Sequence, residues 1–264
     1  MTGITRAIGP PMDHGASVDE AADRGPAPTE ETTVAHILFL LTAADRWTLA
    51  DGSTHPTGYW ADEVAVPYEA FTAAGHRITV ATPGGAVPPV DAGSLSPDAA
   101  GGEEAAAHVR AVLDGAHELG SPVAVEAVDV ATFDAVYVPG GHGPMEDLAV
   151  DPASGALLAA ALRAGTPLGV VCHGAAALLA AVDPEGVNVF AGYRVTAFTD
   201  EEEHLAGLAP RAPWLLQDRL TAAGIEVVAA EPFAPHLQTD RTLVTGQNPA
   251  SSGIVAAELL RRLG

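Results

Sequence analysis

Three apolar runs without polar alternation constrain the fold of this chain more than any other feature. Residues 34–42 read VAHILFLLT, residues 133–138 read FDAVYV, and residues 168–171 read LGVV. A strand with one wet face alternates apolar and polar residues. A run apolar throughout is buried on both faces, as parallel strands are when helices cover them. Helical patterns follow these runs: 59–74, closed by Gly75; 154–164; and an alanine- and leucine-rich stretch to about Ala181. Further strands are expected at 77–82, 193–198, 226–229 and 242–245, with a short candidate at 236–239. Residues 43–57 read as a polar loop. Helices are expected over 102–119, 200–208, 214–223 and 250–263. Strands separated by helices of this length imply βαβ units. The expected fold is therefore α/β and doubly wound, with a mainly parallel sheet and helices on both faces. In such sheets ligands bind beyond the carboxyl ends of the strands.

Residues 1–33 are rich in Pro, Gly, Ala, Asp and Glu and show no periodicity. They are expected to be a disordered tail, leaving 34–264 as a single domain. The chain carries 34 acidic and 12 basic residues, a formal net charge of -22. Nucleic acid and anionic membranes repel such a surface, so neither is an expected partner. One cysteine permits no internal disulfide. No run approaches the ~18 apolar residues of a spanning helix, and the N-terminus lacks the pattern of a secretory signal. The expectation is a soluble, cytoplasmic protein.

The single cysteine lies in Val171-Cys172-His173-Gly174, between a strand pattern and a helix pattern. A side chain at that turn is lifted from the sheet to a helix N-terminus, whose unpaired N–H groups favour a thiolate. A nucleophile of lowered pKa is the functional reading; a small buried hydrophobe is the plain one. His173 supplies a proton-transfer group, and Gly174 allows close backbone approach. A second loop, Pro139-Gly140-Gly141-His142-Gly143, follows the 133–138 strand. Its paired glycines let amides approach an oxyanion, with the His173 amide as a second donor; a tight turn is the alternative. Gly140, Gly141, His142 and Gly174 are the expected oxyanion- and substrate-binding residues.

Two acidic segments complete the candidates. Glu63 stands in the first turns of the 59–74 helix, among Tyr59 and Trp60. It is either a base of raised pKa or a partner of the helix dipole. Asp62 points elsewhere on the helix, so at most one of the two faces a pocket. In Thr199-Asp200-Glu201-Glu202-Glu203, a capping box fits Thr199 with Glu202, or Asp200 with Glu203. A functional reading has one of these carboxylates orient a histidine. His55, His76, His108, His117, His204 and His236 show no metal-site spacing, so no metal and no cofactor are expected.

Taken together and in this order, the segments resemble the DJ-1/ThiJ/PfpI superfamily, whose fold is that of class I glutamine amidotransferases. The resemblance rests on Thr57-Gly58 with Glu63, on Pro139-Gly140-Gly141-His142-Gly143, and on Val171-Cys172-His173-Gly174. It rests further on Thr196-Ala197-Phe198-Thr199-Asp200 with Glu203, and on Val244-Thr245-Gly246-Gln247-Asn248-Pro249-Ala250-Ser251. The chain is most similar to the heat-shock chaperone-like, glyoxalase III branch. His236-Leu237-Gln238 lacks the Glu two positions on that a glutamine amidotransferase would need.

The resemblance implies Cys172 as nucleophile, His173 as its acid/base partner and Glu63 as the carboxylate beside the thiol. It implies Glu203 as the orienting carboxylate, with Glu202 as the alternative. It further implies a small dicarbonyl substrate, a homodimer, and glutathione-independent conversion of methylglyoxal or glyoxal to D-lactate or glycolate. The superfamily also contains holdase chaperones, oxidation sensors, peptidases and deglycases, and these are the rival expectations.

Overall fold

The computed structural model describes residues 34–264; the tail expected over 1–33 lies outside the described residues. The first apolar run forms strand β1 (His36–Leu40), with Ile37, Leu38, Phe39 and Leu40 fully buried. After it the chain makes a small hairpin, β2 (Arg46–Thr48) and β3 (Thr54–Pro56), where the sequence reads as a loop. Trp47 accounts for the difference: its side chain is buried while its neighbours stay wet.

Helix α1 (Ala61–Ala73), strand β4 (Arg77–Thr82), the short helix α2 (Pro97–Ala100) and helix α3 (Glu103–Gly115) follow. The two-residue strand β5 (Val123–Ala124), which has no periodicity to reveal it, pairs with β4. Strand β6 (Ala135–Val138), the one-turn helix α4 (Gly143–Glu146), helix α5 (Pro152–Ala164) and strand β7 (Leu168–Val171) come next. The ends of α5 follow from local chemistry. Asp151 accepts the Ser154 amide, Pro152 opens the helix, and Gly165 closes it at φ 76°.

The stretch after β7 is a 3₁₀-helix, Cys172–Ala180, and not the α-helix that its composition suggests. Nine residues is long for this tighter helix, in which side chains at i and i+3 eclipse, and its small alanines lessen that crowding. Beyond it lie β8 (Arg194–Val195), α6 (Asp200–Ala206), α7 (Leu216–Ala222), β9 (Glu226–Val227), β10 (Leu237–Asp240), β11 (Leu243–Gly246) and α8 (Ser252–Leu263).

Among the described residues, the main sheet has seven strands in the order β10-β11-β7-β6-β1-β4-β5. All its pairings are parallel except β10 with β11. The segments read as strands at 193–198 and 226–229 are shorter than expected and stand outside it, as the separate parallel pair β8 and β9. Helix α1 packs between α3 and α8, while α5 and α7 pack on the 3₁₀-helix. The fold is thus doubly wound with a mainly parallel sheet. From β1 the chain winds out to β4 and β5, then returns to β6 and winds the other way. The loops leaving β1 and β6 therefore diverge, and a crevice opens beyond their carboxyl ends. Cys172, at the end of the neighbouring β7, borders that crevice. Among the described residues, no helix is long and apolar enough to cross a membrane.

Candidate active site

Cys172 has φ 59°, a left-handed conformation that non-glycine residues seldom adopt. The strand ends at Val171 and the helix begins at once, so this one residue absorbs the change of direction. Such strain persists only where the surroundings impose it. Here the fit is backbone against backbone. A Cβ on Gly174 would stand 2.5 Å from the Val138 carbonyl oxygen and 2.7 Å from that of Pro139. Gly141, at φ 87°, packs its backbone against that of Gly58–Trp60, where a Cβ would clash with the Gly58 carbonyl oxygen.

Glu63 is fully buried in the first turn of α1. Its Oε2 accepts the Gly140 amide at 2.6 Å, and its backbone carbonyl accepts the Tyr137 hydroxyl at 2.7 Å. Among the described residues its Oε1 has no hydrogen-bond partner, and the Cys172 thiol lies beside the carboxyl. Burial pushes the Glu63 carboxyl up to about 7, against the pull of the Gly140 amide and the thiol. Asp62, next to it, is only partly buried.

The thiol departs from the sequence expectation. A helix N-terminus alone predicts a lowered pKa, but burial and the Glu63 carboxylate push Cys172 well above its ordinary value. The amides of His173 and Gly141 pull it down without reversing the direction. The Gly140 amide, expected at an oxyanion, is committed to Glu63 instead. Gly174 serves the close packing of the turn and does not line the cavity.

His173 Nδ1 lies 3.4 Å from Cys172 Sγ, and its Nε2 lies 2.7 Å from Glu203 Oε2. Burial alone would push Glu203 up, but hydrogen bonds from His142 and His173 hold it well below the carboxylate range. Glu203 is therefore an ionised acceptor, which puts the His173 proton on Nε2 and leaves the Nδ1 lone pair toward the thiol. The two acidic neighbours divide the roles left open above. Glu202 closes a capping box with Thr199, its Oε2 accepting the Thr199 amide at 2.9 Å. Glu203 faces the histidines.

His142 holds a position that its loop did not reveal. Its Nε2 lies 3.0 Å from Glu203 Oε1, so one carboxylate serves two imidazoles. Its ring stacks on Trp47 at 5.0 Å and 21°, and lies 4.1 Å from the His173 ring. Burial and the neighbouring His173 lower its pKa. Sequence reading passed over Trp47; a lone tryptophan in an otherwise polar loop was the available signal. Among the described residues, His142, His173 and Glu203 bring ligand atoms within 4.8 Å of one another, the spacing a metal site would use. In this arrangement each Nε2 is bonded to the carboxylate.

A cavity of about 340 Å³ opens above the cysteine, lined by Gly141, His142, Cys172 and His173 together with Trp60, Phe198 and Phe233. Cys172 itself is only 3% exposed and lines the floor of this opening. The arrangement joins a thiol, an imidazole with an anionic partner and a buried carboxyl pushed up to about 7, groups of the kind that addition and proton transfer at a carbonyl use.

Known proteins resemble this chain in sequence and in fold. The chain is 28% identical to the protein/nucleic acid deglycase HchA of Pseudomonas aeruginosa over 226 residues, covering 80% of this chain and 76% of that protein. It is 36% identical over 140 residues to the bovine glutamine amidotransferase-like class 1 domain-containing protein 1, covering 53% of this chain. That match spans only 63% of the bovine protein's length. Among solved structures, Candida albicans glyoxalase III has the same fold, with a TM-score of 0.73 at 24% identity over 86% of this chain and 96% of that one. The 24 kDa rapid encystment protein of Francisella tularensis does too, with a TM-score of 0.77 at 24% identity over 88% of this chain and 100% of that one. Residues 57–262 match the model of the DJ-1/PfpI family. That span runs from the segment before α1 into α8 and includes Glu63, His142, Cys172, His173 and Glu203, so the chain belongs to the DJ-1/PfpI family.

Proposed function

We propose that the protein converts small 2-oxoaldehydes such as methylglyoxal and glyoxal to 2-hydroxy acids without glutathione. The observation that carries this reading is Glu63, buried beside the thiol with one oxygen unpaired among the described residues and its carboxyl pushed up to about 7. A group that titrates near neutrality both takes and returns a proton, as isomerisation of an adduct requires.

The sequence of steps uses groups already described. The Cys172 thiol adds to the aldehyde carbon as its proton passes to His173 Nδ1, 3.4 Å away. The Gly141 and His173 amides, which face the sulfur, stabilise the alkoxide. The alkoxide takes up a proton to give a hemithioacetal. Glu63 removes the proton of the former aldehyde carbon as the ketone oxygen takes one up, giving an enediol. Glu63 then returns its proton to the former ketone carbon as the hydroxyl on the sulfur-bearing carbon loses its own and becomes the thioester carbonyl. The product is a thioester of a 2-hydroxy acid. Water then cleaves the thioester, releasing the acid and regenerating the thiol. The balance is one dicarbonyl plus one water to one hydroxy acid: one carbon is oxidised, its neighbour is reduced, and no external oxidant is needed. Glu203 keeps the His173 tautomer and orientation that the first step requires.

The test is formation of lactate from methylglyoxal by the full chain in glutathione-free buffer, with Cys172→Ala as control. Lactate formation that disappears in the variant supports the reading, and no acid at millimolar substrate overturns it. The relatives named as deglycases favour a second reading, in which the same thiol takes the dicarbonyl from a glycated amine or thiol. Direct action on the adduct would make turnover faster than spontaneous release of the dicarbonyl; turnover limited by that release would not.

A further inference from the structure

A two- or three-carbon dicarbonyl leaves most of the 340 Å³ cavity empty; ligand pockets of about 300 Å³ and above accommodate far larger molecules. Away from the reacting groups its wall is carbon: Trp60, Phe198, Ala206, Phe233, Pro249 and Ala250. That wall begins at the chemistry itself. The Phe198 ring lies 4.5 Å from the His173 ring, and the Phe233 ring lies 6.2 Å beyond Phe198.

Phe233 is the unusual member. Its backbone is at φ 60°, which a phenylalanine adopts only when held there, yet half of its surface is wet. Two fully buried polar side chains do the holding. Glu202 Oε1 accepts the Phe233 amide at 2.8 Å and the Asn248 Nδ2 at 2.9 Å, and Asn248 Nδ2 also donates to the Ala234 carbonyl at 2.8 Å. A half-exposed ring contributes little to the core. The clamp instead fixes this ring in a strained conformation on the wall of the cavity that Cys172 also lines, an arrangement suited to a binding surface.

We propose that Phe198 and Phe233 form an aryl subsite, selecting 2-oxoaldehydes whose ketone carbon bears an aryl or bulky alkyl group. The subsite stands on its own geometry; only the naming of 2-oxoaldehydes rests on the proposed function.

The chain's single cysteine lets alkylation report on the cavity independently of turnover. Chloroacetone and phenacyl chloride share a chloroketone and differ in a methyl against a phenyl. Each rate at Cys172 is divided by that reagent's rate with N-acetylcysteine. The normalised phenyl-to-methyl ratio should exceed about ten, the discrimination that apolar pockets reach. Phe233→Ala should lower it several-fold, and Phe233→Leu should keep most of it. Phe233→Gly, which accepts the positive φ without strain, should behave as Phe233→Ala and serves as the loss-of-ring variant if Phe233→Ala does not fold. The ratio of kcat/KM for phenylglyoxal to that for methylglyoxal should fall in parallel. A normalised ratio near one, or a ratio unmoved in a loss-of-ring variant that melts like the parent, overturns the subsite. A high labelling ratio without conversion of any dicarbonyl keeps the subsite and removes the glyoxalase reading. Conversion with a labelling ratio near one does the reverse.

Discussion

Replacing Glu63 by Gln should stabilise the protein in alkaline buffer while removing its activity. The folded carboxyl is pushed from 4.5 up to about 7 by complete burial. At 1.36 kcal/mol per tenfold, the charged form costs the fold on the order of 3 kcal/mol. The sign follows from proton uptake on folding. Below about pH 4.5 the carboxyl is protonated both folded and unfolded, and no cost is felt. Between 4.5 and about 7 only the folded state keeps the proton, so stability falls as pH rises, and above about 7 the whole cost is present. Gln has no charge to bury, and its side-chain oxygen can accept the Gly140 amide as Glu63 Oε2 does at 2.6 Å. The unfolding free energy of Glu63→Gln relative to the parent should therefore grow by about 2.5 kcal/mol between pH 5 and pH 8. Two neighbouring site groups stay outside this window. Cys172 is held well above 9.0, and Glu203 stays ionised in both proteins. Urea unfolding at the two pH values measures the difference, and steady-state kinetics should show a loss on the order of 10²–10⁴ in turnover. A stability difference that does not change with pH would refute the buried, proton-holding carboxyl. Full turnover in the variant would refute its part in proton transfer.

Outcomes for four further substitutions follow from the same geometry. Cys172→Ala should lose all turnover with a melting temperature within about 4 °C of the parent; residual turnover would move the chemistry off the thiol. Glu203→Gln leaves His142 and His173 without their anionic acceptor, and turnover should fall about 10²-fold or more. Glu202→Gln should instead cost about 0.5–2 kcal/mol through the cap it closes on Thr199, read in the same kinetic and unfolding assays; the opposite pattern would exchange their roles. Gly174→Ala would bring a Cβ to 2.5 Å and 2.7 Å from two carbonyl oxygens of the β6 turn. Backbone has little room to yield, so thermal melting should register a loss of roughly 1–3 kcal/mol; an unchanged melting curve would refute the close packing of that turn.

Much of this was legible along the chain, because several of its signals are local. Apolar runs that become β1, β6 and β7 declare burial on both faces within four or five residues. Thr199 and Glu202 declare a cap within one turn, and the adjacency of Cys172 and His173 needs no fold at all. Everything that depends on which strands lie side by side was decided by the tertiary structure. β8 and β9 read as strands but are only two residues each and pair with one another outside the sheet. Trp47 meets His142, and Glu63 meets Gly140 and Cys172, only because the chain reverses its winding between β5 and β6 and brings distant loops to one crevice. The thiol shows the limit most directly. Its helix N-terminus is written in the residues around it and predicts a lowered pKa. The desolvation and the buried carboxylate that reverse the direction arise from α1 and the β6 loop, which no local pattern around Cys172 contains. Hydrophobic period and capping chemistry act over a few residues, whereas dielectric and charge at a buried atom are set by everything that packs around it.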